Sequence, residues 1–133
     1  MDSELTYLAW ILVLALVQIF AAGLARTQQY GAKWNAGARD KDPGPLKPVP
    51  GRLLRAQHNL FETLPLFAAA VLIAAVTHKT GGALTLWGAR LYVWGRVVYL
   101  PLYALGVPGL RTLVWLVSTA GLVLVIVADL LPS

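Results

Sequence analysis

The sequence predicts an all-α integral membrane protein, a four-helix bundle formed by one domain that covers residues 1–133. Hydrophobic residues make up 58% of the chain and charged residues only 13%, against about 45–50% and 25% in an average soluble domain. Four apolar runs approach the length of about 20 residues that crosses a hydrocarbon core. Cationic residues collect in the segments that join these runs on one side. The chain also has no cysteine, which excludes disulfide frameworks, thiolate metal sites and cysteine nucleophiles.

The four predicted helices differ in the polar and charged residues that they contain. Gln18 is the only strongly polar residue of the first run, which follows an acidic flank rather than the basic flank of a signal peptide. We therefore expect the first helix to be retained. Arg90 and Arg96 interrupt the third run, and Asp129 comes near the end of the fourth. The predicted helices cover approximately residues 5–25, 53–77, 84–105 and 112–131.

The links between these helices differ in length. The first, residues 26–52, is long and polar, and its stretch Pro48-Val49-Pro50-Gly51 is expected to be extended rather than helical. The second and third links, around residues 77–82 and 106–109, are short turns that contain glycine. Short links predict that consecutive helices run antiparallel.

Charge predicts the orientation of the bundle. The chain has a net charge of +5, and most of its cations lie in the long first link or in the third link. Cationic residues favour the cytoplasmic side of a membrane, so we expect the long link in the cytoplasm and both termini outside. Because these cations do not share one soluble surface, nucleic acid is not an expected partner. Aromatic residues at helix ends, Trp115 among them, are expected to act as anchors at the membrane interface.

Polar residues recur along the second predicted helix at spacings of three, four and three, namely at Arg52, Arg55, Asn59 and Glu62. Side chains three or four positions apart are neighbours on a helix surface, so we expect all four on one face. The third predicted helix carries a similar row, formed by Tyr92, Arg96, Tyr99 and Tyr103, with Arg111 just beyond it. Charges at membrane depth persist when they face a bundle interior or an aqueous cavity.

Two interpretations of these rows remain open. The arginines near the interface can extend their charges to the lipid headgroups, and Glu62 with Arg96 can form a structural ion pair. However, these rows with Arg111 and Arg90 have up to five cations and only one carboxylate. An excess of guanidinium groups favours an anionic ligand, because arginine binds carboxylates and phosphates bidentately. The two separated histidines, His58 and His78, do not suggest a metal site.

The motifs of these two helices resemble one known family. Residues 55–67, RAQHNLFETLPLF, are similar to the second-helix signature of the MAPEG family, the membrane-associated proteins in eicosanoid and glutathione metabolism. Ala89-Arg90-Leu91 and Gly95-Arg96, with the later Tyr99, Tyr103 and Arg111, resemble its third helix. The family includes leukotriene C4 synthase and the microsomal glutathione transferases. The stretch WNAGARD at residues 34–40 is similar to that of bacterial members.

The resemblance implies a homotrimer that binds glutathione as cosubstrate at subunit interfaces near the cytoplasmic side, without a metal. Glu62 would bind the ammonium group of glutathione, Arg52 would lie near its glycyl carboxylate, and Gln57 would give a supporting contact. Arg111 would stabilise the thiolate and is the expected catalytic residue. The residues expected to bind glutathione are Arg52, Arg55, Gln57, Asn59, Glu62, Arg96, Tyr99 and Tyr103.

The resemblance therefore predicts a membrane-embedded glutathione transferase or peroxidase that acts on a lipophilic small molecule or lipid, in a bacterial inner membrane. The alternative is a non-catalytic protein that binds a lipid or an anionic metabolite, or assists a partner. Thr63 departs from the pattern, because several conjugating relatives have a tyrosine there. Some relatives also use an arginine of the first helix, for which Arg26, Lys33 and Arg39 are equal candidates.

Overall fold

The computed structural model describes residues 2–132, which form an all-helical bundle and contain no β-strand. This confirms the predicted fold class. Three of the helices, α1, α3 and α5, are long and apolar enough to cross a membrane, so the chain is a multi-pass membrane protein. The helices are α1 (Ser3–Tyr30), α2 (Ala32–Ala36), α3 (Pro48–Val76), α4 (Ala83–Ala104) and α5 (Pro108–Leu130).

α4 is not one of the three helices that are long and apolar enough to cross a membrane, but it runs the full length of the bundle beside them. At one end of the bundle, here called the N end, the start of α1 meets the start of α4, because Thr85 donates a hydrogen bond of 2.7 Å to Glu4. At the other end, here called the loop end, the guanidinium of Arg52 in α3 lies 3.5 Å from the carbonyl of Ala104. A helix of 22 residues is about 33 Å long, so α4 spans the bundle from end to end.

α3 and α4 form the centre of the bundle. Each of them packs against α1 on one side and α5 on the other, whereas α1 and α5 are not in contact within residues 2–132. The buried core contains Ile11, Leu60, Phe67, Tyr92 and Val125. Large apolar side chains cover much of the outward faces of the long helices, as a lipid environment requires, because water is not available there to solvate polar groups.

Small residues allow α4 and α5 to approach closely. A Cβ atom added to Gly88 would lie 2.6 Å from the carbonyl oxygen of Gly121, and one added to Gly121 would lie 2.5 Å from that of Gly88. A Cβ atom on Gly95 would lie 2.7 Å from that of Ser118. The hydroxyl of Ser118 donates a hydrogen bond of 2.9 Å to the backbone carbonyl of Tyr92. Close backbone approach at small residues is the usual basis of helix association in membranes.

The substitution Gly121→Ala should destabilise the bundle. The new methyl group meets backbone atoms, which cannot move aside without separating α4 from α5, and overpacking of this kind costs about 1–3 kcal/mol. Thermal unfolding in detergent should show a lower midpoint. The matched control is Gly23→Ala, because nothing lies within 4 Å of a Cβ atom at that position. Equal midpoints for the two variants would contradict the packing argument.

Two helices begin four or five residues earlier than the sequence predicts, and both begin with proline. α3 starts at Pro48 and α5 at Pro108, so the expectation that residues 48–51 are extended is wrong. Proline is tolerated in the first helical turn, because an N–H group there has no carbonyl partner within the helix.

The first link is also shorter and more structured than predicted. α1 continues to Tyr30, and the five-residue helix α2 follows it. α1 ends at Gly31, whose φ of +95° suits glycine and not residues with a side chain.

Polar contacts hold the N end together. Glu4 is 1% exposed, and its carboxylate accepts hydrogen bonds from the backbone N–H of Gly81 and the hydroxyl of Thr85. An anion at this place is favourable because it faces the positive end of the α4 dipole. The ammonium group of Lys79, in the turn before α4, donates to three carbonyls at the end of α5. This turn therefore ties α1, α4 and α5 together.

Candidate functional site

A cluster of polar side chains, here called the inner cluster, lies between α3, α4 and α5 toward the loop end. Its centre is the amide oxygen of Asn59, which accepts a hydrogen bond of 2.7 Å from Arg96 and another of 3.1 Å from the indole N–H of Trp115. One atom of α3 is thus bound to both α4 and α5. The members of the inner cluster are Asn59, Arg96, Tyr99, Tyr103, Arg111 and Trp115.

Arg96 is the most deeply placed charge of the inner cluster. Its side chain is 2% exposed, and its guanidinium lies 4.4 Å from the centre of the Tyr99 ring. Only Nη1 has a partner within residues 2–132, because Nε and Nη2 are buried without an acceptor. Buried donors without partners are costly, so this guanidinium has unused capacity to bind an oxygen atom.

The inner cluster borders a cavity of about 260 Å³. Arg111 lines this cavity at the start of α5, and its guanidinium lies 4.5 Å from the centre of the Tyr103 ring. Tyr99 and Tyr103 are in edge-to-face contact, with ring centres 5.5 Å apart. Five of the six lining residues carry a hydroxyl, an amide or a cation, and the sixth, Trp115, contributes an indole N–H. The cavity can therefore hold a polar, negatively charged group.

Arg55 and Glu62, here called the outer pair, lie apart from the inner cluster. Both side chains are exposed on α3 and take no part in the hydrogen bonds of that cluster. Seven residues make almost two helical turns, so Arg55 lies above Glu62 on one line, and Arg52 lies above Asn59 on another. The predicted single row on α3 is therefore two rows on adjacent faces, and only the second one faces α4 and α5.

The other predicted ligands of the second helix occupy different surroundings. Arg52 is half-buried and points toward the turn between α4 and α5, where its guanidinium lies within about 3 Å of the position that a Cβ atom on Gly106 would take. Gln57 is half-buried on α3. The structure thus brings Asn59, Arg96, Tyr99, Tyr103 and Arg111 together and leaves Arg52, Gln57 and the outer pair outside this cluster.

The structural ion pair between Glu62 and Arg96 is not formed. Arg96 binds the amide of Asn59, whereas Glu62 lies on the exposed face of α3. Glu62 and Arg96 therefore share no direct hydrogen bond within residues 2–132.

Sequence reasoning missed the part that Trp115 plays in the inner cluster. It was expected to anchor the helix at the interface, yet its indole N–H donates to Asn59 and its ring lines the cavity. Trp115 follows Arg111 by four residues, so the two share a face of α5. That spacing is the signal in the sequence that places Trp115 at the site.

Sequence reasoning also missed a contact beside the inner cluster, on the side toward the N end. The hydroxyl groups of Thr63 and Tyr92 are 2.7 Å apart and share a hydrogen bond. Tyr92 is 1% exposed and stacks on Phe67 with ring centres 4.2 Å apart. Thr63 therefore uses its hydroxyl inside the bundle, one position after the exposed Glu62.

The three candidates for a first-helix ligand have different environments. Arg26 is half-buried in α1, and its Nε atom is buried without a partner. Lys33 is exposed in α2. Arg39 is exposed, donates to both the backbone and the side chain of Asn35, and lies over the Trp34 ring. Arg26 is thus the candidate with an unused, buried donor.

These features define a helical, multi-pass membrane protein with a polar cavity that Arg111 borders. A family model described as the MAPEG family matches residues 7–131. The chain therefore belongs to the MAPEG family, as the motifs in α3 and α4 predict. No curated protein and no solved structure matches the chain significantly.

Proposed function

We propose that this protein is a membrane-embedded, glutathione-dependent transferase or peroxidase. The observation that carries the proposal is the inner cluster, where Arg111 borders a polar cavity and Arg96, packed on the ring of Tyr99, keeps two buried donors without acceptors within residues 2–132. Glutathione has two carboxylates and two amides that suit these groups. Membership in the MAPEG family is compatible with this chemistry.

In the proposed reaction, Arg111 acts on the glutathione sulfur. The thiolate, not the thiol, is the nucleophile, and a guanidinium beside the sulfur in a cavity with little water favours the negative charge. The thiolate forms a bond to the electrophilic carbon of a lipophilic substrate, and the leaving group departs with its electron pair. In the peroxidase reaction, two glutathione molecules are oxidised to the disulfide, while the hydroperoxide is reduced to an alcohol and water.

The outer pair leads us to propose a homotrimer. A charged side chain exposed to lipid near the bilayer centre costs about 2.5–3.5 kcal/mol, which favours an arrangement in which a second copy covers this face of α3. The outer pair would then complete a glutathione site between protomers, with Glu62 near the ammonium group. Arg26, with its unused donor, is the proposed ligand from α1.

The proposed orientation places the loop end in the cytoplasm of a bacterial cell and both termini outside its inner membrane. The chain has no cysteine, so a single Lys41→Cys variant carries one defined label site in the exposed part of the first link. A membrane-impermeant maleimide should label this variant in inverted vesicles and not in intact spheroplasts. Labelling from the outside would contradict the orientation.

The substitutions Arg55→Ala and Glu62→Ala should each weaken glutathione binding by about 10–100-fold. Each removes one charge-assisted hydrogen bond to the ligand, worth about 1.5–3 kcal/mol. Titration calorimetry on the detergent-purified protein gives the affinity, and native mass spectrometry should show a trimer that retains glutathione.

Controls for these variants come from the exposed loop. Arg39→Ala and Asp40→Ala remove the same charges outside the site and should leave the affinity unchanged. A well-folded protein that shows no glutathione binding would exclude the proposed function.

A non-catalytic binding role is the second candidate. It is favoured by Thr63, which stands where several conjugating relatives carry a tyrosine and whose hydroxyl is bound to Tyr92 rather than offered to a ligand. In that case the protein would hold a lipid or an anionic metabolite, or assist a partner. Binding of glutathione without turnover of an aryl halide or a lipid hydroperoxide would support this role over the first.

A further inference from the structure

A second charged feature lies on the outer surface of the bundle, and its lining shares no residue with the inner cluster. A groove of about 420 Å³ runs between α4 and α5 on the outer surface of the bundle. Its walls are apolar except at Arg90, and they include Leu91, Trp94, Gly95, Val98 and Val117. We call this feature the α4–α5 groove. The proposed glutathione site does not use any of these residues.

Arg90 brings an unneutralised charge to the α4–α5 groove. Its guanidinium lies 5.1 Å from the centre of the Trp87 ring, and the rest of the groove offers no carboxylate to it. An isolated cation at the edge of an apolar groove in a membrane protein is favourable only beside water or an anion. The charge therefore selects for an acidic group at this end of the groove.

The side chain of Arg90 reaches toward the headgroup region. Arg90 is seven residues from Ala83, where α4 begins, so its Cα lies about 10 Å from the N end. Side chains on a helix lean toward its N-terminus, and Trp87 is one turn closer to that end. The guanidinium is thus directed to the membrane interface, while the groove continues past Trp94 at the middle of α4 to Val98 in the half toward the loop end.

The exposure of Trp94 is the second sign of an occupant. Trp94 lies near the middle of α4 and is 61% exposed, although tryptophan in membrane proteins favours the interface. Its ring forms part of the wall of the α4–α5 groove. An apolar chain in this groove would cover the ring.

We propose that the α4–α5 groove binds an anionic phospholipid from the leaflet at the N end. The phosphate lies on Arg90, beside Trp87, and one acyl chain lies in the groove against Trp94, Gly95 and Val98. Arginine suits this role because its guanidinium binds phosphate oxygens bidentately. The site is independent of the proposed glutathione chemistry.

The chain provides an internal comparison. A groove of about 410 Å³ between α1 and α4 also borders Trp94 but has no charged residue, and it includes Trp10 and Tyr7. It can hold an acyl chain but has nothing to select the headgroup. Lipid preference should therefore depend on the side of α4 that carries Arg90.

Fluorescence quenching by brominated lipids tests the proposal. The protein is placed in phosphatidylcholine nanodiscs that contain an equal small fraction of acyl-brominated phosphatidylglycerol or acyl-brominated phosphatidylcholine. The signal of Trp94 is the difference between the wild type and Trp94→Phe. We expect about fivefold stronger apparent binding of phosphatidylglycerol, as for one basic residue at an anionic surface.

Three variants give the expected pattern. Arg90→Gln should abolish the headgroup preference, while Arg39→Gln, which removes an exposed charge from the loop end, should retain it. Val98→Phe fills the groove without a change in charge and should reduce quenching of Trp94 by phosphatidylglycerol. Circular dichroism confirms that each variant remains helical.

Three results would overturn the proposal. Equal quenching by the two lipids in the wild type, or a preference that persists in Arg90→Gln, would show that Arg90 does not select the headgroup. No quenching of Trp94 by either lipid would show that a second copy of the chain covers the groove. Stronger quenching by a brominated fatty acid than by phosphatidylglycerol would identify a free acid as the occupant.

Discussion

The substitution Arg111→Leu should reduce kcat for glutathione conjugation by about 100-fold or more while the protein still binds glutathione. In the proposed mechanism its guanidinium stabilises the thiolate, and loss of one such stabilising group costs a factor of about 10²–10³. The structure supports this choice, because Arg111 lines the cavity and is fixed over the ring of Tyr103. Steady-state kinetics with an aryl halide gives kcat, and calorimetry gives the affinity for glutathione.

Two further variants separate charge from geometry. Arg111→Lys retains a point charge but not the planar guanidinium, so its kcat should be intermediate. Tyr103→Phe keeps the ring that carries Arg111 and should have a smaller effect on kcat than Arg111→Leu. If Arg111→Leu turned over at the wild-type rate, Arg111 would not be the catalytic residue.

The substitution Asn59→Leu should unfold a large part of the population or lower the free energy of unfolding by about 3 kcal/mol. The amide oxygen of Asn59 accepts from both Arg96 and Trp115, so its loss leaves the third guanidinium nitrogen of Arg96 without an acceptor. An unpartnered buried donor costs about 1–3 kcal/mol, and more when it is charged. Thermal unfolding in detergent measures this loss of stability.

The matched variant Asn59→Asp keeps an oxygen acceptor at the same place. It should retain the fold, because a carboxylate can accept from both Arg96 and Trp115. It should weaken glutathione binding, since the added negative charge neutralises Arg96 and repels an anionic ligand. Equal stability of Asn59→Leu and Asn59→Asp would show that the shared acceptor is not what holds these helices together.

The helical fold was predictable because it depends on composition. A chain with 58% hydrophobic residues and four long apolar runs has few alternatives in a bilayer, where backbone groups must be satisfied internally. The helix ends were less predictable. Proline interrupts a helix when it lies inside it but is compatible with the first turn. Residue type alone therefore does not show that Pro48 and Pro108 begin helices.

The residues of the candidate site were predictable from the sequence, but their arrangement in space was not. Spacings of three and four indicate that residues share a broad face, but they do not say which edge of that face meets a neighbour. On α3 the row divides, so that Asn59 turns inward and Glu62 outward. That division depends on where α4 and α5 pack. The pairing of Asn59 with Trp115, 56 residues later, depends on the same packing.

The contacts of Lys79 and Glu4 have a consequence for how a ligand enters. They fasten α1, α4 and α5 at one end of the bundle, and at the other end a turn of only three residues joins α4 directly to α5. α4 and α5 are thus held together at both ends, and the close contacts at their glycines hold them in between. The wall that Tyr103 and Arg111 give to the cavity is therefore preformed, and a ligand enters beside two helices that do not have to separate.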